Sequence, residues 1–272
     1  MAFDGSDYFG WQIQPHEPTV QQVFEHALST LLKKEIRVTG AGRTDTGVHA
    51  SYYTAHFDLD PAPSSSGKSS AGLHDPGSDR FLFRLNGILP PDIVVFKIME
   101  VPETMHARFS ATYRTYHYHI SSVKPLFQRN YCHYVYGKLD TETIGKCCEV
   151  ILETSDFTSF ARLHSEVKTN ICSVKHAAWV VEEEGHRFEI TADRFLRNMV
   201  RSITGTLLDV GLGKLDLEGF RQIVQAKDRG KAGASVPARG LFLVDIGYED
   251  QEVRSSLARN TSWPSPSLVA RK

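Results

Sequence analysis

The pattern of apolar and polar positions along the chain predicts helices and strands in mixed order. Between residues 20 and 32, apolar side chains recur at intervals of three and four, which is typical of an amphipathic helix. Thr19 and Gln22 form a capping box at its start. Comparable patterns predict three more helices, over residues 81–89, 140–154 and 195–210.

Runs in which bulky and polar residues alternate predict strands between these helices. The clearest lies in HARFSATYRTYHYHI, residues 106–120, where alternation from Tyr116 onwards is typical of a half-buried strand. Residues 3–11 indicate the end of a strand followed by a loop with exposed aromatic side chains. Further strands are predicted over residues 51–57, 93–101, 131–136, 170–181, 187–193 and 244–248.

This order of elements predicts an α+β fold of two similar sub-domains. We place the N-terminal sub-domain at residues 1–112 and the C-terminal one at 113–249. Residues 61–79 are rich in Ser, Gly and Pro and are predicted to be a flexible insertion, and residues 250–272 a disordered tail. Because Met1 lies almost inside the first strand, we expect that strand to be shortened and to leave sheet edge exposed.

The composition indicates an ordinary globular protein. The chain has 272 residues, of which 41% are apolar and 23% charged, enough for one large domain or two smaller ones. No apolar run approaches the roughly 20 residues that span a bilayer, and the N-terminus lacks signal-peptide features. We therefore predict a cytoplasmic protein without membrane contact. A net charge of −1 argues against a uniformly basic nucleic-acid-binding surface, but it allows a basic cleft.

The cysteine and histidine spacings do not predict a metal site. No CxxC or HExxH pattern occurs, and two of the four cysteines are adjacent in sequence. We therefore predict that the cysteines are reduced, structural thiols. They are Cys132, Cys147, Cys148 and Cys172.

The densest group of chemically active residues lies in GAGRTDTGVHA, residues 40–50. Its glycines allow a tight turn or a close approach of two backbones. A carboxylate two residues from an arginine, as in Arg43 and Asp45, is arranged as an ion pair or is held ionised for chemistry. Taken alone, the pair is more often part of a tight loop in which both side chains cap backbone groups.

The longer stretch GRTDTGVHA, residues 42–50, resembles the catalytic motif GRTDAGVHA of the TruA family of tRNA pseudouridine synthases. Three more stretches are similar to that family in the expected order, so that the resemblance covers about residues 3–248. Thr46 stands where Ala is usual, and Phe242 where Tyr is common. The three stretches are ARFSA with the following RTYHY, MVR at 199–201, and AGASVPARGLFL at 232–243.

The resemblance implies the pseudouridine synthase fold: two sub-domains of mixed and antiparallel sheet, helices on one face, and a catalytic cleft between them. It also implies isomerisation of uridine to pseudouridine in the anticodon stem-loop of tRNA, at tRNA positions 38 to 40. Because this reaction conserves all atoms, no cofactor is expected. The family works as a homodimer whose two subunits share the tRNA, so a homodimer is expected here.

Roles for individual residues follow from the matched motifs. The resemblance makes Asp45 the nucleophile and Arg201 its ion-pair partner. It places Tyr116 on the base, where it stacks and takes part in removing the C5 proton, and it makes Leu241 an apolar wall.

Three further arginines are candidates for binding the substrate. Arg43 would fill the space left by the flipped base or hold the flipped backbone. Arg194, Arg197 and Arg201 lie three and four apart and predict an arginine stripe on the polar side of helix 195–210. Such a stripe is more often a solvated face. We assign Arg194 and Arg197 to phosphate contacts.

Two other classes of protein remain open. The first is a non-catalytic RNA-binding protein on the same scaffold, in which Asp45 is a structural cap. The second is a hydrolase of glycosidic bonds, which normally needs two carboxyl groups within about 5–10 Å of each other. No second carboxylate occurs in the matched motifs, and the synthase is the favoured interpretation.

Overall fold

The computed structural model describes residues 1–59, 76–162 and 168–249. The predicted tail lies outside these residues, as does the predicted insertion apart from residues 76–79. The chain forms two compact units. Within the described residues, the first unit contains the chain up to Thr112 and again from Ile246, and the second extends from Tyr113 to Asp245.

The first unit contains two helices and five very short strands. Strand β1 pairs antiparallel with both β3 and β5, and β2 pairs antiparallel with β4. The mixture of helix and antiparallel strand is the predicted α+β class. The elements are β1 Ala2–Phe3, α1 Val20–Leu32, β2 Thr39–Gly40, β3 His49–Ala50, β4 Ala55–His56, α2 Asp79–Ile88 and β5 Ile93–Val94.

Both predicted helices of this unit are confirmed, and each begins at a side-chain cap. The Thr19 hydroxyl accepts a hydrogen bond from the Gln22 N–H at 3.4 Å, and the Ser78 hydroxyl caps α2 in the same way. Among the predicted apolar positions of α1, Phe24 and Leu28 are buried. The buried face also includes Glu25, whose carboxylate accepts from the Val38 N–H at 2.9 Å.

Two predicted strands are wrong in this unit. In place of a strand over 51–57, the chain forms β3 and β4 with a bend between them. The strand predicted over 93–101 ends at Val94, because the Asn86 side chain replaces a neighbouring strand. The Asn86 amide donates to the Val95 C=O and its oxygen accepts from the Val95 N–H, both at 2.8 Å.

Phe3, Tyr8 and Trp11 are buried, contrary to the prediction that the aromatic side chains of residues 3–11 are exposed, and Phe9 alone among these four matches that prediction. The rings of Trp11 and Tyr53 lie 4.2 Å apart, and the Phe3 ring meets Tyr53 edge-on at 5.5 Å. All three are buried, whereas Phe9 is exposed. Because aromatic side chains bury large areas, this cluster supplies much of the apolar packing beside β1.

The second unit contains an antiparallel sheet in the order β10-β6-β9-β8, and β7 runs parallel to β6. Helix α3 packs against β8, α4 and α5. Tyr118 and Phe188, which face each other across β6 and β9, are fully buried. The elements are β6 Ala111–Ser121, β7 His133–Tyr134, α3 Thr141–Glu153, β8 Val174–Glu182, β9 Gly185–Ala192, α4 Met199–Gly211, α5 Leu217–Ala226 and β10 Leu241–Tyr248.

Helix α5 was not predicted from the sequence, although the sequence contains a signal for it. The Asp216 carboxylate caps it by accepting from the Gly219 N–H at 2.7 Å, and Phe220 and Ile223 are buried on one side. A cap followed by an apolar pair at a spacing of three is weak evidence for a helix of this length. By contrast α3, which Asp140 caps, confirms the predicted helix.

The four cysteines are free and buried, as predicted. Burial raises the pKa of Cys147 to about 11 and that of Cys148 to about 12, so both thiols stay protonated at neutral pH. In the described part of the chain, no helix is long and apolar enough to cross a membrane.

The Asn86 bridge gives a test of local stability. We expect Asn86→Asp to lower the free energy of unfolding by about 1–3 kcal/mol, because it removes the donor to the Val95 carbonyl and sets a carboxylate against it. Urea unfolding would measure this. Gln22→Glu makes the same chemical change at an exposed position and should stay within about 0.5 kcal/mol of the parent. If both variants lowered the free energy of unfolding equally, the stabilising role of the Asn86–Val95 hydrogen bonds would be contradicted.

Candidate active site

The loop that carries Asp45 is fixed at both ends by strand pairing in the first unit. Gly40 of β2 pairs with Ala55 of β4, and Ala50 of β3 pairs with Phe3 of β1. Between these ends the chain turns tightly. The Val48 N–H donates to the Asp45 C=O at 3.1 Å, and Gly47 has a φ of 74°, which favours glycine.

Residues 5–10 lie directly against the loop backbone. A Cβ atom on Gly5 would collide with the Val48 carbonyl, and one on Gly10 would collide with the Thr44 carbonyl. The Gly47 N–H donates to the Tyr8 C=O at 3.2 Å. Contacts between backbones therefore hold this part of the loop.

The His49 side chain stabilises this loop by a hydrogen bond to residue 5. Its imidazole is 1% exposed, and Nδ1 accepts a hydrogen bond from the Gly5 N–H at 3.1 Å. The Asp4 carboxylate lies 3.0 Å from the same nitrogen. The buried position suits a structural role.

The side chains on the outside of the loop include the predicted site residues of this unit. Asp45 is half-buried, whereas Arg43 and Thr46 are exposed. The hydroxyl that Thr46 adds at the position usually occupied by Ala therefore lies on the solvent side. A half-buried carboxylate on a loop between short strands is a typical position for a reactive group.

The other predicted catalytic residues belong to the second unit. Tyr116 lies on β6, opposite Ile190 of β9, and its ring meets Phe195 edge-on at 5.1 Å. Leu241 begins β10 and is buried. The sequence reasoning had not identified Phe195, although it follows β9 by only three residues.

Arg201 is tied to the segment that precedes Leu241. Its Nε donates to the Val236 C=O at 2.8 Å, and the Val236 N–H donates back to the Arg201 C=O at 3.2 Å. The MVR motif and the AGASVPARGLFL motif, far apart in sequence, are thus joined by a reciprocal pair of hydrogen bonds. This pairing fixes the guanidinium stem relative to the start of β10.

Residues 233–237 also pack closely on helix α4. A Cβ atom on Gly205 would collide with the Ala234 carbonyl, and the Gly233 N–H donates to the Thr206 hydroxyl at 3.0 Å. On the other side of the segment, the Tyr118 hydroxyl donates to the Pro237 C=O at 2.8 Å, and burial raises the pKa of Tyr118. The segment is held between α4 and β6.

The predicted arginine stripe on helix 195–210 is wrong. Helix α4 begins only at Met199, because Asn198 adopts a left-handed conformation with φ 66°. Arg194 and Arg197 therefore lie in the connection from β9 to α4, and only Arg201 is helical. Arg197 is exposed and Arg194 is half-exposed. Leu196 lies outside the helix but is buried, so its apolar side chain continues the pattern of buried positions in α4.

The residues singled out from the sequence thus fall into two sets. Asp45 and Arg43 belong to the loop of the first unit. The second unit contains the rest of them, Tyr116, Arg201, Leu241, Arg194 and Arg197. The structure's described residues include no group of three or more His, Cys, Asp or Glu side chains that could hold a metal ion.

Comparison with known proteins matches these motifs to one family. A family model described as tRNA pseudouridine synthase matches residues 1–110 and 153–249. A protein named tRNA pseudouridine synthase A from Bacteroides thetaiotaomicron is 47% identical over 255 residues, which cover 92% of this chain and 89% of that protein. A protein of the same name from Caldicellulosiruptor bescii is 41% identical over 250 residues, covering 91% and 97%.

The chain belongs to the tRNA pseudouridine synthase family. The resemblance seen in four short motifs is thereby confirmed, and so is the classification of the chain in a family of isomerases. Asp45, Arg201 and Leu241 fall inside the residues that the family model matches, whereas Tyr116 falls in the gap between the two matched ranges.

The contact between α4 and residues 233–237 gives a paired test in this family member. We expect Gly205→Ala to destabilise the protein by about 1–3 kcal/mol, because the new methyl group overpacks against the Ala234 carbonyl. Gly145→Ala, also inside a helix but with open space around it, should instead stabilise by about 0.5–1 kcal/mol. Urea unfolding of both variants would measure this. If Gly205→Ala were stabilised like Gly145→Ala, the close contact would be disproved.

Proposed function

We propose that this protein isomerises uridine to pseudouridine in the anticodon stem-loop of tRNA, at tRNA positions 38 to 40. Family membership supports the reaction class, and the matched motifs support the more specific assignment. We also propose that the protein acts in the cytoplasm as a homodimer that shares one tRNA, as expected from the family resemblance.

The observation that carries this proposal is the intact GRTDTGVHA loop with a half-buried Asp45. In the proposed reaction the C1′–N1 bond of uridine breaks, the uracil turns, and its C5 forms a bond to C1′. Asp45 is the nucleophile and attacks either C1′ or the uracil ring. The proton on C5 leaves and N1 gains a proton, so that no atoms are lost overall.

Arg201 is the proposed ion-pair partner of Asp45. A nearby cation favours the ionised form of a carboxylate, which is the form that can act as a nucleophile. The hydrogen bonds between Arg201 and Val236 support this role, because they leave the guanidinium side chain few alternative conformations. A group held in position before the reaction needs little reorganisation during it.

Tyr116 and Leu241 are the proposed contacts to the target base. Tyr116 would stack on the uracil and take part in removing the C5 proton, and Leu241 would form an apolar wall. The edge-on contact with Phe195 limits rotation of the Tyr116 ring. Unstacking a base costs a few kcal/mol, which contacts of this kind recover.

The exposed arginines are the proposed contacts to the tRNA backbone. Arg43, beside Asp45, would fill the space that the flipped base leaves or would hold the flipped backbone. Arg194 and Arg197 would bind phosphates from the β9–α4 connection, where Arg197 is exposed. Their position in a loop is compatible with this role, since phosphate contacts need reach and charge but no helical spacing.

We expect Asp45→Asn to abolish product formation. The amide is nearly the same size but is not nucleophilic, so release of tritium from tRNA labelled at uridine C5 should fall to background while tRNA binding persists. Asp7→Asn, an exposed carboxylate of the same unit, is the matched control and should keep full activity. If the parent binds tRNA tightly and releases no tritium, the protein is a non-catalytic RNA-binding protein.

We expect Arg201→Gln to slow catalysis and Arg197→Gln to affect tRNA binding. We expect Arg201→Gln to lower the single-turnover rate at saturating enzyme by about 100-fold or more, because an oriented charge is lost. The Gln amide can still donate to the Val236 carbonyl. Arg197→Gln should leave that rate unchanged. It should weaken tRNA binding and reduce the slope of log K against log salt by about one, because one phosphate contact is lost. Reversal of these two outcomes would contradict the proposed roles.

A further inference from the structure

One motif of the sequence has no part in the proposed reaction. HARFS, residues 106–110, precedes β6 in the first unit and presents an exposed aromatic side chain between a histidine and an arginine. Phe109 is 75% exposed. The His106 ring lies against it at 4.4 Å between centroids, and the Arg108 guanidinium lies over it at 5.5 Å from the ring centre.

This exposed ring is held on a rigid turn. The Ser110 N–H donates to the His106 C=O at 2.9 Å, and the His106 N–H donates to the Ser110 hydroxyl at 3.0 Å. The His106 Nδ1 accepts from the N–H groups of Arg108 and Phe109 at 3.1 and 3.2 Å. The turn therefore fixes an apolar ring in solvent, where burial gives no stabilisation. A single exposed ring is common on protein surfaces, so a binding role depends on the groups that surround this one.

A second imidazole supports the turn from the body of the first unit. The His56 Nδ1 accepts from the Ala107 N–H at 3.1 Å, and the His56 ring meets that of His106 edge-on at 4.8 Å. Burial and the neighbouring His106 lower the pKa of His56, so this support is neutral at physiological pH. The Arg108 guanidinium supplies a permanent positive charge at the Phe109 ring.

A cavity of about 420 Å³ opens beside the Phe109 ring. Its lining includes Ser110 and Glu249, besides Pro102, Thr104, Met105, Thr112 and Tyr248. Because the Ser110 oxygen already accepts from the His106 N–H, its proton remains available for a hydrogen bond. The cavity therefore offers an aromatic face, a hydroxyl donor and a carboxylate acceptor within one small volume.

We infer that His106, Arg108 and Phe109 form a stacking platform for an unpaired base of the RNA substrate, with the adjacent cavity receiving the polar edge of that base. The inference rests on the proposed function for its RNA ligand. It concerns a base other than the uridine that reacts. The Glu249 carboxylate would accept from an exocyclic amino group, as found on adenine, cytosine and guanine.

The chemistry of the platform favours a base over other ligands. The Glu249 carboxylate would repel a phosphate, and the aromatic ring has no hydrogen-bond donor to bind one. A protein partner would be expected to cover a larger apolar area than the Phe109 ring and the neighbouring Pro102 and Met105 provide. Every base has a flat π-face, and a rigid aromatic ring with a guanidinium beside it is the usual partner of unpaired bases in RNA-binding proteins.

Binding of an unmodified tRNA transcript tests the platform. We expect Phe109→Ala to weaken binding by about 5- to 100-fold at constant salt, which is the range for loss of one stacked base. The slope of log K against log salt should not change, because no phosphate contact is lost. Phe109→Tyr should bind like the parent. Phe83→Ala, which removes an 80% exposed ring of the same unit, is the matched control and should have no effect.

A fluorescence experiment tests the stacking directly. With Phe109→Trp, a short single-stranded oligoadenylate should quench the new indole, whereas inorganic polyphosphate should not. Phe83→Trp should respond to neither. Quenching by polyphosphate alone, or by neither ligand, would overturn the proposal. This readout does not depend on catalysis, so it remains decisive even if the parent forms no pseudouridine and the proposed function fails.

Two further outcomes separate the platform from the alternatives. If the parent forms pseudouridine and Phe109→Ala binds tRNA as the parent does, the proposed function is supported and the stacking platform is overturned. If Phe109→Ala changes the sedimentation coefficient of the free protein, Phe109 is a contact between copies of the chain, and the platform is again overturned. Weaker binding by Phe109→Ala with unchanged sedimentation, rescued by Phe109→Tyr, supports the inference.

Discussion

The position of Asp45 depends on contact between two stretches of backbone. Residues 5–10 lie so close to residues 44–48 that a side chain on Gly5 or Gly10 would collide with a carbonyl of the loop. Backbone contacts are short and directional, so they fix the path of the chain more tightly than exposed side chains can. A nucleophile needs this precision, since small displacements from the productive geometry are costly in rate.

The second unit applies the same principle to Arg201. Helix α4 and residues 233–237 approach each other over Gly205, and Val236 then forms two hydrogen bonds with Arg201. In each unit, a predicted catalytic residue thus lies in a segment whose backbone is packed closely against a glycine or contains one that is. Substitutions at these glycines would act on the site through stability and geometry, although no glycine need touch the substrate.

Features with a periodic or capping signal could be predicted from the sequence. Helix α1 follows the predicted cap Thr19, and α3 follows Asp140, the first residue of the predicted helix. Helix α2 was predicted from its apolar positions, but its cap Ser78 had been assigned to the flexible insertion. The two-residue strands of the first unit could not be predicted with correct bounds, because a strand that short has no alternation. The end of β5 depends on the Asn86 side chain, a contact between residues that no local pattern relates.

The matched motifs predict individual site residues, whereas the prediction that extended a helical periodicity was wrong. Asp45 and Arg201 came from matched motifs. The arginine stripe failed because Asn198 takes a left-handed conformation, which breaks the helical spacing without interrupting the apolar pattern. Phe109 shows a different limit: an alternating sequence predicts which residues share a face, but solvent exposure of a ring depends on the turn that carries it.

The departure of Thr46 from the usual motif follows from the way the loop is held. The contacts that fix the loop use the Thr44 carbonyl, the Asp45 carbonyl, the Gly47 N–H and the Val48 carbonyl. None of them involves the side chain of residue 46, which is exposed. A hydroxyl and a methyl group can therefore be added there without moving the backbone that positions Asp45. A side chain at position 46 therefore leaves the backbone geometry of the loop unchanged, whereas a side chain at Gly47, with its positive φ, would strain it.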